Sequence, residues 1–443
     1  MWVTSLKKRP DEVTTEDCLE IVESIARLGT REITLIGGEA FLKKDWTSII
    51  KAIRKHGIYC GLQTGGWAFN EKRLNDAVDS GLQGLGVSIY GLATFHDSVR
   101  GVKGSFEMAI DVLKRARKAG ISASVNTQIG PATIPQLREL MYMIAAAGAQ
   151  QWQIQLTVAM GNAVDNDELL FQPYQLDILF PLLSNLYDEA SEMGLAMTVG
   201  NNVGYFGPYE YKLRDITGES KHWTGCSAGQ QVMGIEADGV VKGCPSLPTK
   251  EYTGGNVKDL SIEDIWTKSP EIHFGRLRSR DSLWGFCKTC YYAEVCKAGC
   301  TWTSHSLLGR PGNNPYCHYR VIELKKEGLR ERIEKVEEAG CGSFDIGRFK
   351  LIMEEIPDDP NALIGKEISN SEDQINDLLS LSISGMEGES APEVGKLPDL
   401  GEICHSCNQF ILYEEEICPH CNSGMAVSNQ LLEEQMKKKE DAI

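Results

Sequence analysis

The sequence predicts an α/β protein with a parallel sheet in its first two hundred residues, followed by a cysteine-rich region and a small terminal module. Three observations carry this reading. Short apolar segments of strand length alternate with single helical segments up to about residue 200. From about residue 201 to Cys317 the alternation gives way to loops punctuated by Gly and Cys. Two Cys-x2-Cys pairs then stand near the end of the chain, beyond a stretch rich in Gly, Pro, Ser and acidic residues.

The elements follow in order. "TTEDCLEIVESIARLG" reads as a helix capped at Thr14 or Thr15 and ended by Gly29. "REITLI" (31–36) is a short apolar strand. A helix over 45–56, the strand "IYCGLQT" (58–64), a helix over 71–80 and the strand "GLGVSIY" (84–90) come next. Helix 105–119 precedes "ISASVNTQI" (121–129), and helix 134–147 precedes "QWQIQLTV" (151–158). A long helix within 173–193 leads to "LAMTVG" (195–200). Strands joined by single helices imply right-handed βαβ units, which a doubly wound sheet and an open or closed barrel both satisfy. In either, ligands bind at the C-terminal ends of the strands. Further on, "VIELKKEGLRERIEKVEEAG" (321–340) reads as a charged amphipathic helix opening a helical region over 321–382. Residues 383–400 have the composition of a linker, 401–424 form the terminal module and 425–443 a charged tail.

Composition narrows the function. The 443 residues are 42% hydrophobic, enough for one large core with appended modules. A formal charge of −17 disfavours nucleic acid and anionic membranes, because phosphate contacts need clustered Lys and Arg. The opening "MWVTSLKKRP" has no apolar run of signal-peptide length, and no segment is long enough to span a bilayer. The expectation is a cytoplasmic protein, where fourteen cysteines are better read as metal or cluster ligands than as disulfides. Cys18, Cys60 and Cys341 read as structural thiols.

The other cysteines form two constellations. Cys404, Cys407, Cys418 and Cys421 make two CxxC knuckles ten residues apart, the spacing of a structural zinc ribbon, with a rubredoxin-like iron site as the rival. "CKTCYYAEVCKAGC" supplies Cys287, Cys290, Cys296 and Cys300, and Cys226, Cys244 and Cys317 flank it. Seven thiols are one short of two four-cysteine sites. Either a histidine (His305 or His318) completes a zinc site, or one metal position is left open. Spacing leaves zinc and iron–sulfur nearly even.

The strand ends decide between them. "GGEAF" (37–41), "TGG" (64–66), "VSIYG" (87–91), "HDSVRG" (96–101) and "GSFEMA" (104–109) follow successive strands in order. Together they resemble the radical S-adenosylmethionine (SAM) enzymes. The cysteines of 226–317, with Gly239 five residues before Cys244, resemble the SPASM extension of that family, and the likeness covers roughly residues 10–320. The resemblance implies a partial (β/α)6 barrel over 1–200 and a SPASM domain over 201–320. It implies two auxiliary 4Fe-4S clusters, the outer held by Cys287, Cys290, Cys296 and Cys317, the inner by Cys226, Cys244 and Cys300 with one iron lacking a cysteine. It also implies that Gly37, Gly38 and Glu39 receive the SAM amino group, and that Ser88 and Arg100 hold its ribose and carboxylate. Thr64 would lie at the same cofactor site, and residues 157–163, "TVAMGNA", would face the adenine.

One family feature is not in the sequence. The CxxxCxxC loop that binds the SAM-cleaving cluster is absent, and the only cysteine before the Gly-Gly-Glu is Cys18. "MWVTSLKKRPDEVTTED" begins where the loop after that motif would begin. This predicts that the first barrel strand and the motif lie upstream in a full-length form, and that the chain as written does not cleave SAM. The expected function is a maturase-type enzyme that uses a 5′-deoxyadenosyl radical on a peptide or protein side chain, with flavodoxin or ferredoxin as electron donor. The alternatives are a radical enzyme acting on a cofactor precursor such as a porphyrin, and a non-catalytic iron–sulfur and zinc scaffold. Anaerobic sulfatase maturases place an Asp after the second auxiliary-cluster cysteine; Pro245 stands there and argues against that activity.

Overall fold

The computed structural model describes residues 11–214, 222–340 and 344–358, together with two short strands near the end, 401–403 and 410–412. Six strands form one parallel sheet in sequence order: β1 (Glu32–Leu35), β2 (Tyr59–Thr64), β3 (Gly84–Ser88), β4 (Ser122–Ile129), β5 (Gln151–Leu156) and β6 (Ala196–Val199). The helices between them are α1 (Thr15–Arg27), ahead of β1, then α2 (Trp46–Lys55), α3 (Glu71–Ser80), α4 (Ala93–Arg100), α5 (Ser105–Lys118), α6 (Leu137–Ala146) and α7 (Leu176–Glu192). All six strands read from the sequence are present. Sequential order with helical crossovers is what repeated βαβ units give, and among the described residues β1 pairs with β2 alone.

Local chemistry sets the boundaries. The Thr14 hydroxyl accepts from the Asp17 amide and the Asp17 carboxylate accepts from the Thr14 amide, a reciprocal cap for α1. Asn70 caps α3, and Gly81 ends it in the left-handed region at φ 90°. Along β2 to β5 every second residue (Cys60, Leu62, Leu85, Val87, Ala123, Val125, Trp152, Ile154) is buried against helical side chains such as Ile50, Ile53, Ala109, Leu113, Leu140 and Leu179. Helix α4 goes beyond the sequence reading: its eight residues lie between Gly91 and Gly101.

The cysteine-rich region carries a small antiparallel sheet, β7 (Gly234–Ile235), β8 (Val240–Lys242) and β9 (Thr253–Asn256). Gly239, at φ 90°, makes the turn between the first two. Among the helices that follow are α8 (Thr301–Leu308) and α9 (His318–Lys326).

The helix expected over 321–340 is corrected by the structure. α9 stops at Lys326, and Gly328 at φ 74° turns the chain into a strand, β10 (Leu329–Glu337). β10 pairs antiparallel with β11 (Arg348–Glu355), so a helical region over 321–382 does not hold. The physical reason is a period-two pattern inside "LRERIEKVE": Glu331 and Ile333 face inward, while the charged residues between them pair along the sheet surface. β12 (Gly401–Ile403) and β13 (Phe410–Leu412) pair antiparallel and flank the first CxxC in sequence. Cys404, Cys407, Cys418 and Cys421 of the expected zinc ribbon lie outside the described residues, as does Cys341. Among the described residues no helix is long and apolar enough to cross a membrane.

β10 is tied back to α9 by a buried pair. The Arg320 guanidinium donates to Glu331 Oε1 at 2.6 Å and to Asn313 Oδ1 at 2.6 Å, with both charged side chains under 5% exposed. Replacing Glu331 with Ala strands that charge and should cost about 3–5 kcal/mol, read as a lower urea midpoint. The half-exposed Arg332, paired with Glu354 on the sheet surface, should lose about 1 kcal/mol or less on replacement with Ala.

Candidate functional site

The first site gathers at the C-terminal ends of β1, β2 and β3. β1 runs into Gly37, whose φ of 127° is open to glycine, then Gly38 and Glu39. Glu39 turns back onto the end of β2. The Thr64 hydroxyl donates to its Oε2 at 2.6 Å and the Gly65 amide to its Oε1 at 2.8 Å. Thr64 is itself held, because its oxygen accepts from the Gly66 amide at 2.9 Å.

Arg100, the last residue of α4, closes the other side. Its guanidinium lies over the Tyr90 ring, 4.8 Å from the centroid, and a side-chain carbon on Gly65 would fall 2.9 Å from its nitrogens. Burial raises the Glu39 carboxyl above its ordinary range, against the hydrogen bonds from Thr64 and Gly65 and the attraction of Arg100. Arg100 Nε is buried and has no hydrogen-bond partner among the described residues. A half-buried carboxylate and a half-buried guanidinium that face one region without an ion pair suit a ligand bearing both an ammonium and a carboxylate.

Ser88 ends β3 on the sheet face opposite the helices, two residues before Tyr90. His96 fixes that turn: its Nδ1 accepts from the Tyr90 amide at 3.1 Å, and burial lowers its pKa to about 4, so the ring is neutral at pH 7. A shallow, narrow cleft opens at the ends of β3 to β5, lined in part by Tyr90, Gln128, Gly130 and Thr157. It places the start of 157–163 beside the Arg100 corner.

The sheet face opposite the helices is polar along its length. Gln63 on β2 crosses Gly86 to accept from Asn126 Nδ2 on β4 at 2.7 Å, and Gln155 Nε2 donates to Gln153 Oε1 at 2.9 Å on β5. Ser122, Ser124 and Gln128 on β4 and Thr198 on β6 share this face, half-buried. A side chain at Gly86 would strike Gln63, which explains the glycine. From β2 to β6, no position on this face is Lys or Arg.

The seven central thiols form two groups. Cys226, Cys244 and Cys300 lie within electrostatic reach of one another, and so do Cys287, Cys290, Cys296 and Cys317. Cys300 and Cys317 are the N-cap residues of α8 and α9. Backbone amides point at the sulfurs: Ala228 to Cys226, Tyr292 to Cys290 and Asn314 to Cys287, each at 3.4 Å. The amides of Ser246, Gly299 and Arg320 do the same for Cys244, Cys296 and Cys317. Burial opposes these donors and pushes the Cys244 thiol up to about 12. Six sulfurs provided with N–H donors, yet held as thiols by burial, suit metal ligation, in which a cation replaces the proton. Among the described residues no three His, Cys, Asp or Glu side chains converge as the ligands of a single ion do. A cubane asks less, because each thiolate binds a separate iron.

Lys297, Ala298 and Gly299, at φ 50°, 61° and 60°, lie between Cys296 of one group and Cys300 of the other. Two non-glycine residues in the left-handed region mark a strained link. Tyr205, in the loop after β6, holds it: its ring packs on Gly299 and its hydroxyl accepts from the Cys300 amide at 2.9 Å and donates to Asn201 O at 2.6 Å. Arg278, half-buried, reaches both groups, with Cys226 and Cys300 on one side and Cys287 on the other. Spacing offered no signal for Tyr205 or Arg278, which join the site only through folding. The two histidines weighed as a completing zinc ligand are engaged elsewhere. His305 Nδ1 bonds the Tyr252 hydroxyl at 2.9 Å, and His318 stacks on Phe180 with ring centroids 4.3 Å apart. Cys60 is fully buried and pushed up to about 12 by desolvation, and Cys18 is half-buried, in keeping with structural roles.

Comparison with known proteins agrees with both halves of this picture. Residues 2–141 match the radical SAM superfamily, and residues 226–291 match SPASM, an iron-sulfur cluster-binding domain. The chain is similar to an AdoMet-dependent heme synthase of Oleidesulfovibrio alaskensis, 25% identical over 328 residues, 70% of this chain and 80% of that protein. It is also similar to a PqqA peptide cyclase of Rhizobium meliloti, 25% identical over 318 residues, 71% of this chain and 80% of that protein. In fold it resembles SuiB of Streptococcus suis, with a TM-score of 0.55 at 17% identity over 67% of this chain and 68% of that one. With the glycine–glutamate corner at the strand ends and the two thiol groups beyond them, residues 2–141 are a radical SAM domain and residues 226–291 a SPASM domain.

Proposed function

We propose that this protein is a maturase-type enzyme that modifies a peptide or protein side chain by SAM-dependent radical chemistry. The observation that carries it is the corner formed by Glu39, Thr64, Gly65 and Arg100. SAM, if reductively cleaved at an iron–sulfur cluster whose CxxxCxxC ligands this sequence does not contain, would supply a 5′-deoxyadenosyl radical able to take a hydrogen atom from a substrate. The protein's own residues bind and orient. Glu39 accepts from the SAM ammonium beside the Gly37 and Gly38 backbone, and Thr64 and Gly65 hold the carboxylate in place for that task. Arg100, backed by Tyr90, takes the SAM carboxylate, Ser88 the ribose, and the cleft by Thr157 the adenine. Cys287, Cys290, Cys296 and Cys317 hold the outer auxiliary cluster; Cys226, Cys244 and Cys300 hold the inner one.

The substrate class rests on two supports. The chain is similar to peptide cyclases, and the open sheet face presents neutral amides and hydroxyls. Gln and Asn side chains pair well with peptide groups, each offering a donor and an acceptor. The second reading, a tetrapyrrole, is favoured by the similarity to heme synthases. Its carboxylate side arms would want cations, and the face from β2 to β6 has none. The zinc ribbon at Cys404, Cys407, Cys418 and Cys421 remains part of the proposal on sequence spacing alone.

Three measurements test this reading. Calorimetric titration should show SAM binding weakened about ten- to a hundredfold by Glu39→Gln, the loss of one charged hydrogen bond. Wild-type affinity should fall as acid protonates Glu39, beginning above the ordinary carboxylate range, while the Gln variant stays flat there; equal affinities would refute the corner. Anaerobic reconstitution should load both thiol groups with iron, and Cys226→Ala or Cys287→Ala should each cost about four iron atoms per chain. Zinc in place of iron would overturn the cluster assignment. Titration with a carboxylated porphyrin, followed by its Soret band, should give no saturable shift; tight binding would favour the tetrapyrrole reading.

A further inference from the structure

The surface around the outer thiol group differs from the rest of the molecule in charge. Residues 276–310 hold Arg276, Arg278, Arg280, Lys288, Lys297 and Arg310 against Asp281 and Glu294, a net +4 within a chain of −17. Basic residues elsewhere are extensively paired with carboxylates, but none of these six forms an ion pair among the described residues. They are interlocked by other means. Arg280 Nε donates to Lys288 O at 3.0 Å, Lys297 Nζ to Arg276 O at 3.1 Å and Arg278 Nη1 to Lys297 O at 3.3 Å. Arg310 stacks on Trp284, 3.8 Å from the ring.

Apolar groups stand exposed among these cations: Tyr291 is 86% exposed, Leu277 62% and Val295 52%. Lys288 lies between Cys287 and Cys290, Tyr291 follows Cys290, and Val295 and Lys297 bracket Cys296. An exposed basic and apolar surface that no internal acid neutralises fits an acidic protein partner. Its position, one residue from three thiols, serves a partner that exchanges electrons. A peptide undergoing radical chemistry at the sheet's C-terminal edge gains nothing from such closeness.

We infer that the face formed by Arg276, Arg280, Lys288, Tyr291, Val295 and Arg310 is the docking surface for an acidic one-electron carrier protein. The inference rests on the reading that Cys287, Cys290, Cys296 and Cys317 hold a cluster. One electron passes between carrier and cluster, one partner being oxidised as the other is reduced, and no bond forms or breaks.

The test uses the full chain reconstituted with iron and sulfide, and photoreduced flavodoxin as the acidic probe. A variant carrying Arg276→Glu, Lys288→Glu and Arg310→Glu should keep wild-type iron content and bleach normally with dithionite. Its reduction by flavodoxin, followed by stopped-flow absorbance, should slow at least about tenfold at low salt. The wild-type rate should fall as salt is added and the variant's should not. The neutral set Arg276→Gln, Lys288→Gln and Arg310→Gln should lie between them, which separates charge from misfolding. Equal flavodoxin rates in wild type and variants would overturn the docking surface. So would variants that lose affinity for an acidic peptide while keeping the flavodoxin rate. If the wild type takes up no iron, the cluster reading fails by itself. Flavodoxin binding to the metal-free chain, measured by sedimentation, then decides docking: salt-sensitive binding lost in the variant upholds it, and no binding overturns it.

Discussion

The buried phenol of Tyr205 is the interaction on which the two halves of the molecule depend. It stands in the loop after the last strand of the parallel sheet, yet its hydroxyl accepts from the Cys300 amide and donates to Asn201 O. Its carbonyl receives the Cys317 thiol at 3.7 Å and the Tyr319 amide at 3.3 Å. One residue thus fixes a cysteine of each thiol group against the end of the sheet. Its ring also needs Gly299, because any side chain there would occupy the same space. The left-handed run at Lys297, Ala298 and Gly299 persists because this packing over-determines it.

A second constraint is electrostatic. The Glu39–Arg100 corner holds two half-buried charges that face one region without forming an ion pair, an arrangement less favourable than a direct pair. The thiols show the same logic in another form. N–H donors favour the anionic sulfur while burial disfavours it, so two opposing effects meet at each sulfur. In both places backbone amides are aimed at the charge-bearing atoms, Gly65 at Glu39 and Ala228, Tyr292 and Asn314 at cysteine sulfurs.

Much of the fold was legible in the sequence. Six apolar segments with the spacing of βαβ units located all six strands of the sheet to within a residue or two. The glycines at 37 and 38 were likewise legible as the turn that ends β1, because turns are local features. The helix drawn over 321–340 failed for a physical reason. Charged residues with scattered apolar ones satisfy a helical face and an alternating strand almost equally. What separates them is Gly328, together with a partner strand that supplies the pairing from nearly twenty residues away.

By itself, then, the sequence determined the elements, the glycine turns and the identity of the chemical groups, since each depends on neighbours a few residues apart. Only the tertiary structure decided which groups meet. It set the Arg100 guanidinium over Gly65, ran Gln63 across Gly86 to Asn126, and packed Tyr205 against Gly299 from 94 residues away. It left six cations around the outer thiols without an acid to pair with among the described residues. Those juxtapositions come from sheet order and helix packing, and distance along the chain carries no trace of them.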